Sequence, residues 1–270
     1  MFRRGPWLVV LGSAALLAVL LALLYWRPTG GGIALGGEPL RVYCAASQKV
    51  PVDEVARQYE REQNVPLQLE YGGSETLLAG IELSRRGDVY LPADDSYLQT
   101  AKDKGLVTDV IPITHMTAVI AVRPGNPKKV HTLDDLLRPD VVLAQANPDM
   151  AAIGKLTRAM LEKTGRWEEF RKHTKVFKAT VNDVANDLTV GTADAGIVWD
   201  ATVRQYPKLE MVRVPELDGV RARVSAGVLR TSTQPEAARR FAEYLAAPDK
   251  GLRVFVKDGF DPAGPEDTAH

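Results

Sequence analysis

From Pro39 onward, short apolar runs alternate with segments whose apolar residues recur at helical spacing, and this alternation limits the fold of the 270-residue chain more than any other feature. Leu40–Ala45 reads as a strand, and Val52–Gln63 as a helix with Val52, Val55, Ala56 and Tyr59 on one face. Val65–Tyr71 alternates with period two, which predicts a strand. Ser74–Arg85 reads as a helix with Ser74 at its N-cap, Val89–Pro92 as a strand, and Tyr97–Lys104 as a helix closed by Gly105 and capped by Asp94-Asp95. Strands then fall at Val119–Val122, Val141–Ala144, Ala195–Trp199 and Val224–Leu229. Helices fall between them at Leu133–Leu137 behind Thr132, Ala152–Lys163, Val184–Val190 and Pro235–Leu245. Repeated strand–helix units predict a largely parallel sheet covered by helices.

Ahead of this body, Trp7 to Trp26 is an uncharged run of 20 residues. At ~1.5 Å per residue such a helix just crosses a ~30 Å hydrocarbon layer. Trp7 and Tyr25-Trp26 suit the two interfaces, and Arg3 and Arg4 predict a cytoplasmic N-terminus with the body exported. The rival reading is a cleaved signal peptide. The bulky Leu-Leu-Tyr-Trp-Arg-Pro ending lacks a small-x-small cleavage site and favours retention. The body is therefore expected on the periplasmic or extracytoplasmic face, anchored in the cell membrane through residues 7–26, or secreted if the segment is cleaved. Arg27 to Gly37, rich in glycine, reads as a linker.

The 34 basic and 34 acidic side chains balance. Arg3, Arg4 and Arg27 fall in the first 30 residues, which hold no acid, so the rest carries 31 basic and 34 acidic groups, a net of −3. That argues against a nucleic-acid partner. A body of this charge captures an anion only with a local, pre-aimed site. Cys44 is the one cysteine, and the four histidines are scattered, so no zinc or haem spacing occurs and no cofactor is expected. His115 and His173 read as surface or capping residues, and Arg85-Arg86 and Lys128-Lys129 as solvated faces.

Three strand-to-helix junctions carry candidate chemistry: Ala45-Ala46-Ser47, Gly72-Gly73-Ser74-Glu75-Thr76, and Asn147 to Gly154. A helix start exposes unpaired N–H groups and partial positive charge, which suits an anion. Ser47 and Ser74 would add hydroxyl donors; their bland reading is simple N-capping. No Ser/His/Asp spacing, phosphate-cradling loop or acid/base pair stands out, so an enzyme is not expected.

The ordered segments VYCAAS (42–47), YGGSETL (71–77), GDVYLPADDSYL (87–98), GLVTD, NPDMAAIG, ADAGIVWDA and FAEYLAAPDKGLRVFVKDGF (241–260) resemble the periplasmic molybdate- and tungstate-binding proteins of ABC importers. The resemblance covers about 40 to 260. It implies two α/β lobes of the periplasmic-binding-protein type joined by crossing strands near Thr117–Val122 and Val220–Val228. One lobe would hold 39–118 and 227–270 and the other 119–226, behind the anchor and linker of 1–38. It also implies a monomer that closes on a small oxyanion and presents it to a membrane permease.

Carried over by position, the resemblance nominates Ser47, Ser74, Ile153, Val181 and Trp199 as ligand contacts. Ser47, Ser74 and Val181 would touch the metal only as molybdate oxygens. Ile153 and Val181 would act through backbone N–H groups. Trp199 stands where the family has a tyrosine whose hydroxyl reaches the anion, so it serves either as a donor or as cleft packing. The turn at Ala151 to Gly154 is bulkier than the family's. Glu75 beside Ser74 would repel a dianion, so it is expected to point outward; with Asp200 it could instead serve a cation. Fe(III), a sulfate-like anion or a small organic ligand on the same scaffold, and a tethered sensor, stay open as alternatives.

Overall fold

The computed structural model describes residues 37–262. Among them ten strands, β1 (Leu40–Ala45), β2 (Leu67–Gly72), β3 (Val89–Leu91), β4 (Val107–Val122), β5 (Leu143–Ala146), β6 (Val176–Lys178), β7 (Ala195–Trp199), β8 (Glu210–Val212), β9 (Arg221–Leu229) and β10 (Asp261–Pro262), join in the order β2-β1-β3-β9-β4-β7-β5-β6, with β8 and β10 both paired to β4. The helices are α1 (Lys49–Gln63), α2 (Ser74–Ser84), α3 (Asp95–Asp103), α4 (Ala152–Lys163), α5 (Trp167–His173), α6 (Val181–Val190), α7 (Asp200–Gln205), α8 (Pro215–Asp218), α9 (Pro235–Ala246) and α10 (Gly251–Lys257).

The chain forms two α/β lobes, and β4 serves both. Its residues Val107 to Thr117 pair antiparallel with β9, and Ala118 to Val122 pair with β7. In the first lobe β1 runs parallel to β2 and β3; in the second β5 runs parallel to β6 and β7. Burial follows this sharing. β4 is partly exposed as far as Pro112 and buried continuously from Ile113 to Val122, where it lies inside the molecule. β9 pairs along its whole length with β3 and β4, so the chain re-enters the first sheet at Arg221.

The core of the first lobe centres on α1 and α9. Val52, Val55 and Tyr59 of α1 are buried at helical spacing, as are Phe241 and Leu245 of α9. Tyr59 meets Phe241 and Tyr244 edge-on, each at 5.0 Å between ring centroids. Helix α1 ends at Asn64, whose left-handed φ of 54° closes it.

Several expectations need correction. Ser74 is not an N-cap: Gly73 holds that position and Ser74 opens α2. Ser47 lies inside a 3-10 turn, Ala46–Gln48, and caps nothing. The segment after Thr132 is a 3-10 turn, Asp134–Leu137, because Thr132 and Asp135 bond each other's backbone and side chain in a tight loop. His115 is buried in β4, not at the surface. Helix α5 and the first twelve residues of β4 were not foreseen, since neither has a clean period. Asp94 caps α3 as expected, accepting from the Ser96 N–H at 3.0 Å. The expected anchor at 7–26 lies outside the described residues. Within the described residues no helix is long and apolar enough to cross a membrane.

The aromatic cluster should dominate first-lobe stability. Phe241→Ala is expected to cost about 3–5 kcal/mol, read as a lower urea midpoint in equilibrium unfolding, with the native far-ultraviolet spectrum retained in buffer.

Candidate functional site

Five chain segments end at one cavity of about 230 Å³ of atom-free space, part of it open to solvent. β1 delivers Ser47 through its 3-10 turn, and β2 delivers Ser74 at the start of α2. β5 leads to Ala152 and Ile153 at the start of α4, β6 to Val181 at the start of α6, and β7 to Trp199. All five residues nominated from the sequence, Ser47, Ser74, Ile153, Val181 and Trp199, therefore line one space. They come from both lobes: Ser47 and Ser74 from the first, the others from the second.

The local reasons are backbone ones. Neither α2 nor α4 has a side-chain cap, so first-turn N–H groups such as that of Ile153 are not taken up by a capping side chain and can face the cavity. Helix α6 is different. Thr180 and Asp183 form a reciprocal capping box, at 3.0 and 3.2 Å, that fixes where the helix starts and leaves the Val181 N–H uncommitted to the box. Thr180 itself lines the cavity. The spacing Thr-x-x-Asp was readable from the sequence and was missed.

The two serines differ. The Ser47 hydroxyl is buried and has no hydrogen-bond partner among the described residues. Ser74 is clamped: its Oγ accepts from the Ala93 N–H at 3.1 Å, and its carbonyl accepts from the Tyr90 hydroxyl at 2.7 Å. The Ser74 hydroxyl proton is still available to donate. Burial pushes the Tyr90 hydroxyl well above its ordinary pKa, and neighbouring Tyr97 and Glu75 add to this, so it stays a donor to Ser74. Behind Ser47, burial likewise raises the Cys44 thiol, with Asp53 adding to the shift, and the thiol remains neutral.

The lining contains no ionisable side chain. Glu75 is half-buried and faces a separate groove with Tyr97, Lys155 and Arg158, as expected of a group that would repel an anion. Asp200 is committed elsewhere. It is buried, and its carboxylate accepts from the N–H of Thr117 at 3.1 Å and of Ala201 at 2.8 Å, with Arg213 at 3.4 Å. The Glu75/Asp200 cation pair is therefore not formed. Among the described residues no group of three or more His, Cys, Asp or Glu could hold a metal ion. The cavity offers N–H and O–H donors from neutral groups and an indole wall, which suits a ligand made of acceptors.

The lobes also touch each other directly. The Glu75 N–H donates to the Met150 carbonyl at 3.1 Å, and Gln205 Nε2 donates to the Ser47 carbonyl at 3.3 Å.

Residues 40–261 match the family of bacterial extracellular solute-binding proteins. The chain belongs to this family. It is 28% identical over 253 residues to the molybdate-binding protein ModA of Mycobacterium tuberculosis, covering 92% of this chain and 95% of that one. To ModA of Escherichia coli it is 24% identical over 251 residues, covering 88% and 95%. The periplasmic molybdate-binding protein of Azotobacter vinelandii has the same fold, with TM-score 0.69, 16% identity and coverage of 83% of this chain and 100% of that one. So has the sulfate-binding protein SubI of Mycobacterium tuberculosis, at TM-score 0.73, 20% identity and coverage of 86% and 90%. This solute-binding protein acts outside the cytoplasm, and its family comprises binding proteins, not enzymes.

In this solute-binding protein Gly73 lies at one of the closest approaches between the lobes. Its φ of −71° suits any residue, but a Cβ there would come within 2.4 Å of the Met150 carbonyl oxygen and 2.9 Å of that of Ala179. Gly73→Ala should keep the fold and its melting temperature but hold the lobes apart, read as a larger radius of gyration in small-angle X-ray scattering.

Proposed function

We propose that this protein captures a tetrahedral oxyanion of the molybdate or tungstate type between its lobes and delivers it to the permease of an ABC importer. The observation that carries the reading is the buried Ser47 hydroxyl, which has no partner among the described residues and lines a cavity shared by three helix starts. A buried hydroxyl without a partner costs stability, and a bound acceptor removes that cost. Uncharged donors hold an oxyanion well, because a hydrogen bond to a charged acceptor is on the order of twice as strong as a neutral one. The names of the relatives, molybdate-binding in both bacteria, support the same ligand. On this reading Ser47 and Ser74 donate from hydroxyl and backbone, Ile153 and Val181 from backbone N–H groups, and Trp199 closes the wall. Thr180 joins them at the start of α6.

The same proposal assigns the lobes as 39–118 with 221–262, and 119–220. Drawing the second boundary at the start of β9, rather than at 226/227 as the resemblance implied, is supported by the pairing of β9 with β3 and β4 along its whole length. Residues 7–26 are assigned as an uncleaved anchor that keeps a monomeric body near its permease. Mass spectrometry of the membrane fraction should then find the intact N-terminus; a soluble chain beginning near Gly30–Gly37 would sink this part.

A second reading, a cation cargo, draws on the iron-bound HitA of Pseudomonas aeruginosa, which shares the fold at TM-score 0.66 and 16% identity. Hard cations take oxygen ligands rich in carboxylate, and the cavity lining has none.

The two serines give the test. Ser47→Ala removes a hydroxyl with no partner among the described residues, so it should weaken molybdate binding at least about tenfold, ~1.4 kcal/mol, with an anion-free melting temperature no lower than the parent's. Ser74→Ala should weaken binding similarly and also lower stability by about 1–3 kcal/mol, because the buried Ala93 N–H loses its acceptor. Titration calorimetry with molybdate beside thermal melts reads both. Native affinity in Ser47→Ala would show that the ligand sits elsewhere.

A further inference from the structure

Outside the cavity, the Lys155 side chain of helix α4 in the second lobe reaches the first lobe. Lys155 Nζ donates to Ser96 Oγ at 3.0 Å and lies 4.3 Å over the ring centroid of Tyr97. Ser96 and Tyr97 belong to α3, which follows β3 of the first sheet; Lys155 lies in the first turns of α4, which follows β5 of the second. Tyr97 is buried and Lys155 half-buried. The neighbouring Arg158 behaves differently. It bonds Glu162 at 2.8 Å and Asp149 at 3.5 Å and lies 5.7 Å from the Trp167 ring centroid, all within the second lobe. The groove thus holds two cations, of which Lys155 spans the lobes and Arg158 does not.

We propose that Lys155 is a ligand-independent latch: a positioning residue that holds the lobes together through Ser96 and Tyr97 and gives the empty protein a closed population. An opening rotation that parts α3 from α4 breaks both contacts, which then count toward closure. Neither involves a ligand atom. The latch also bears on the site through α4, since Lys155 lies one turn beyond Ala151 and Ala152, which line the cavity. Holding Lys155 against α3 therefore keeps the α4 start, with its Ile153 N–H, facing Ser47 and Ser74 before ligand arrives. Affinity rises because less of the binding free energy is used to close the lobes.

The inference rests on the two-lobe reading but not on the identity of the ligand, and the test separates the two. Spin labels are placed on the full chain at Leu83→Cys in α2 and Val190→Cys in α6, which are 89% and 72% exposed. The native Cys44 is buried and does not compete for label. Double electron–electron resonance then measures the closed-to-open ratio, first without anion and then along a sodium molybdate titration. The labelled parent should show a closed population without anion. Lys155→Met, which keeps most of the stem, should lower the closed-to-open ratio at least about fivefold, the order expected for a partly exposed cation–π contact alone. Arg158→Met should leave the ratio unchanged, and the melting temperatures of both variants should match the parent. A parent that is wholly open without anion, a Lys155→Met ratio equal to the parent's, or an equal fall in Arg158→Met would each overturn the latch. If the anion-free ratios differ as expected but molybdate closes neither protein, the latch stands and the molybdate reading fails.

Discussion

The peptide between Thr117 and Ala118 is where the architecture turns from one sheet to the other, and a buried carboxylate holds it. β4 bonds to β9 up to Thr117 and to β7 from Ala118, and the Thr117 N–H is taken by Asp200. The Ala118 N–H donates to the Val220 carbonyl at 2.9 Å, which ties the outgoing crossing to the returning one. A strand that changes partners leaves a backbone donor without a ladder bond, and a buried donor without an acceptor costs about 1–3 kcal/mol. Asp200 supplies that acceptor. It directly follows Trp199, which lies opposite Ala118 in the ladder and forms a wall of the cavity. The hinge and the cavity wall are thus adjacent residues of one segment, so a shift in Trp199 is felt at the crossing.

The cavity depends on that arrangement because its donors arrive from both sides of the hinge. Strand ends of a parallel sheet point the starts of the following helices toward one edge, where ligands of open α/β sheets collect. Two such sheets set edge to edge through β4 aim their helix starts at each other. No lysine or arginine lines the space between them. A formal charge buried there would carry a desolvation cost whenever the site was empty, whereas N–H groups at helix starts carry only fixed partial charges. This is consistent with a body whose net charge is slightly negative yet whose cavity is suited to an anion.

The alternation of strand and helix was legible in the sequence because each buried face keeps a clean period, as in α1 with Val52, Val55, Ala56 and Tyr59. The long β4 was half hidden. Its first residues, Val107 to Pro112, mix exposed and buried positions and contain a register shift between Val107 and Asp109, so no period survives. Helix α5, seven residues long with Phe170 as its buried residue, is too short to show one. The same limit governs the site. Ser47 and Ser74 were visible at strand-to-helix junctions, but Ile153, Val181 and Trp199 came from resemblance, since a backbone N–H leaves no mark in a side-chain pattern. Capping was the wrong role for both serines: a cap satisfies its own helix, and neither hydroxyl does.

Size completes the argument about selectivity. Apart from Trp199, the side chains lining the cavity are no larger than isoleucine, and alanines and glycines such as Ala45, Ala93 and Gly73 make up most of them. Gly73 has no room to grow toward the second lobe, and Gly154 has none toward the Ala146 carbonyl, which a Cβ would approach to 2.4 Å. At both positions a side chain would hold apart the backbone segments that bring the donors inward. An anion too small to reach donors on both lobes would bond one side only. It would gain little from closure, because a ligand shifts the open–closed equilibrium only by its differential affinity for the two forms. On the proposed reading, discrimination among tetrahedral anions would follow from how many donors each can reach at once. Trp199, whose buried indole belongs to the strand that pairs with the hinge, forms one side of the cavity.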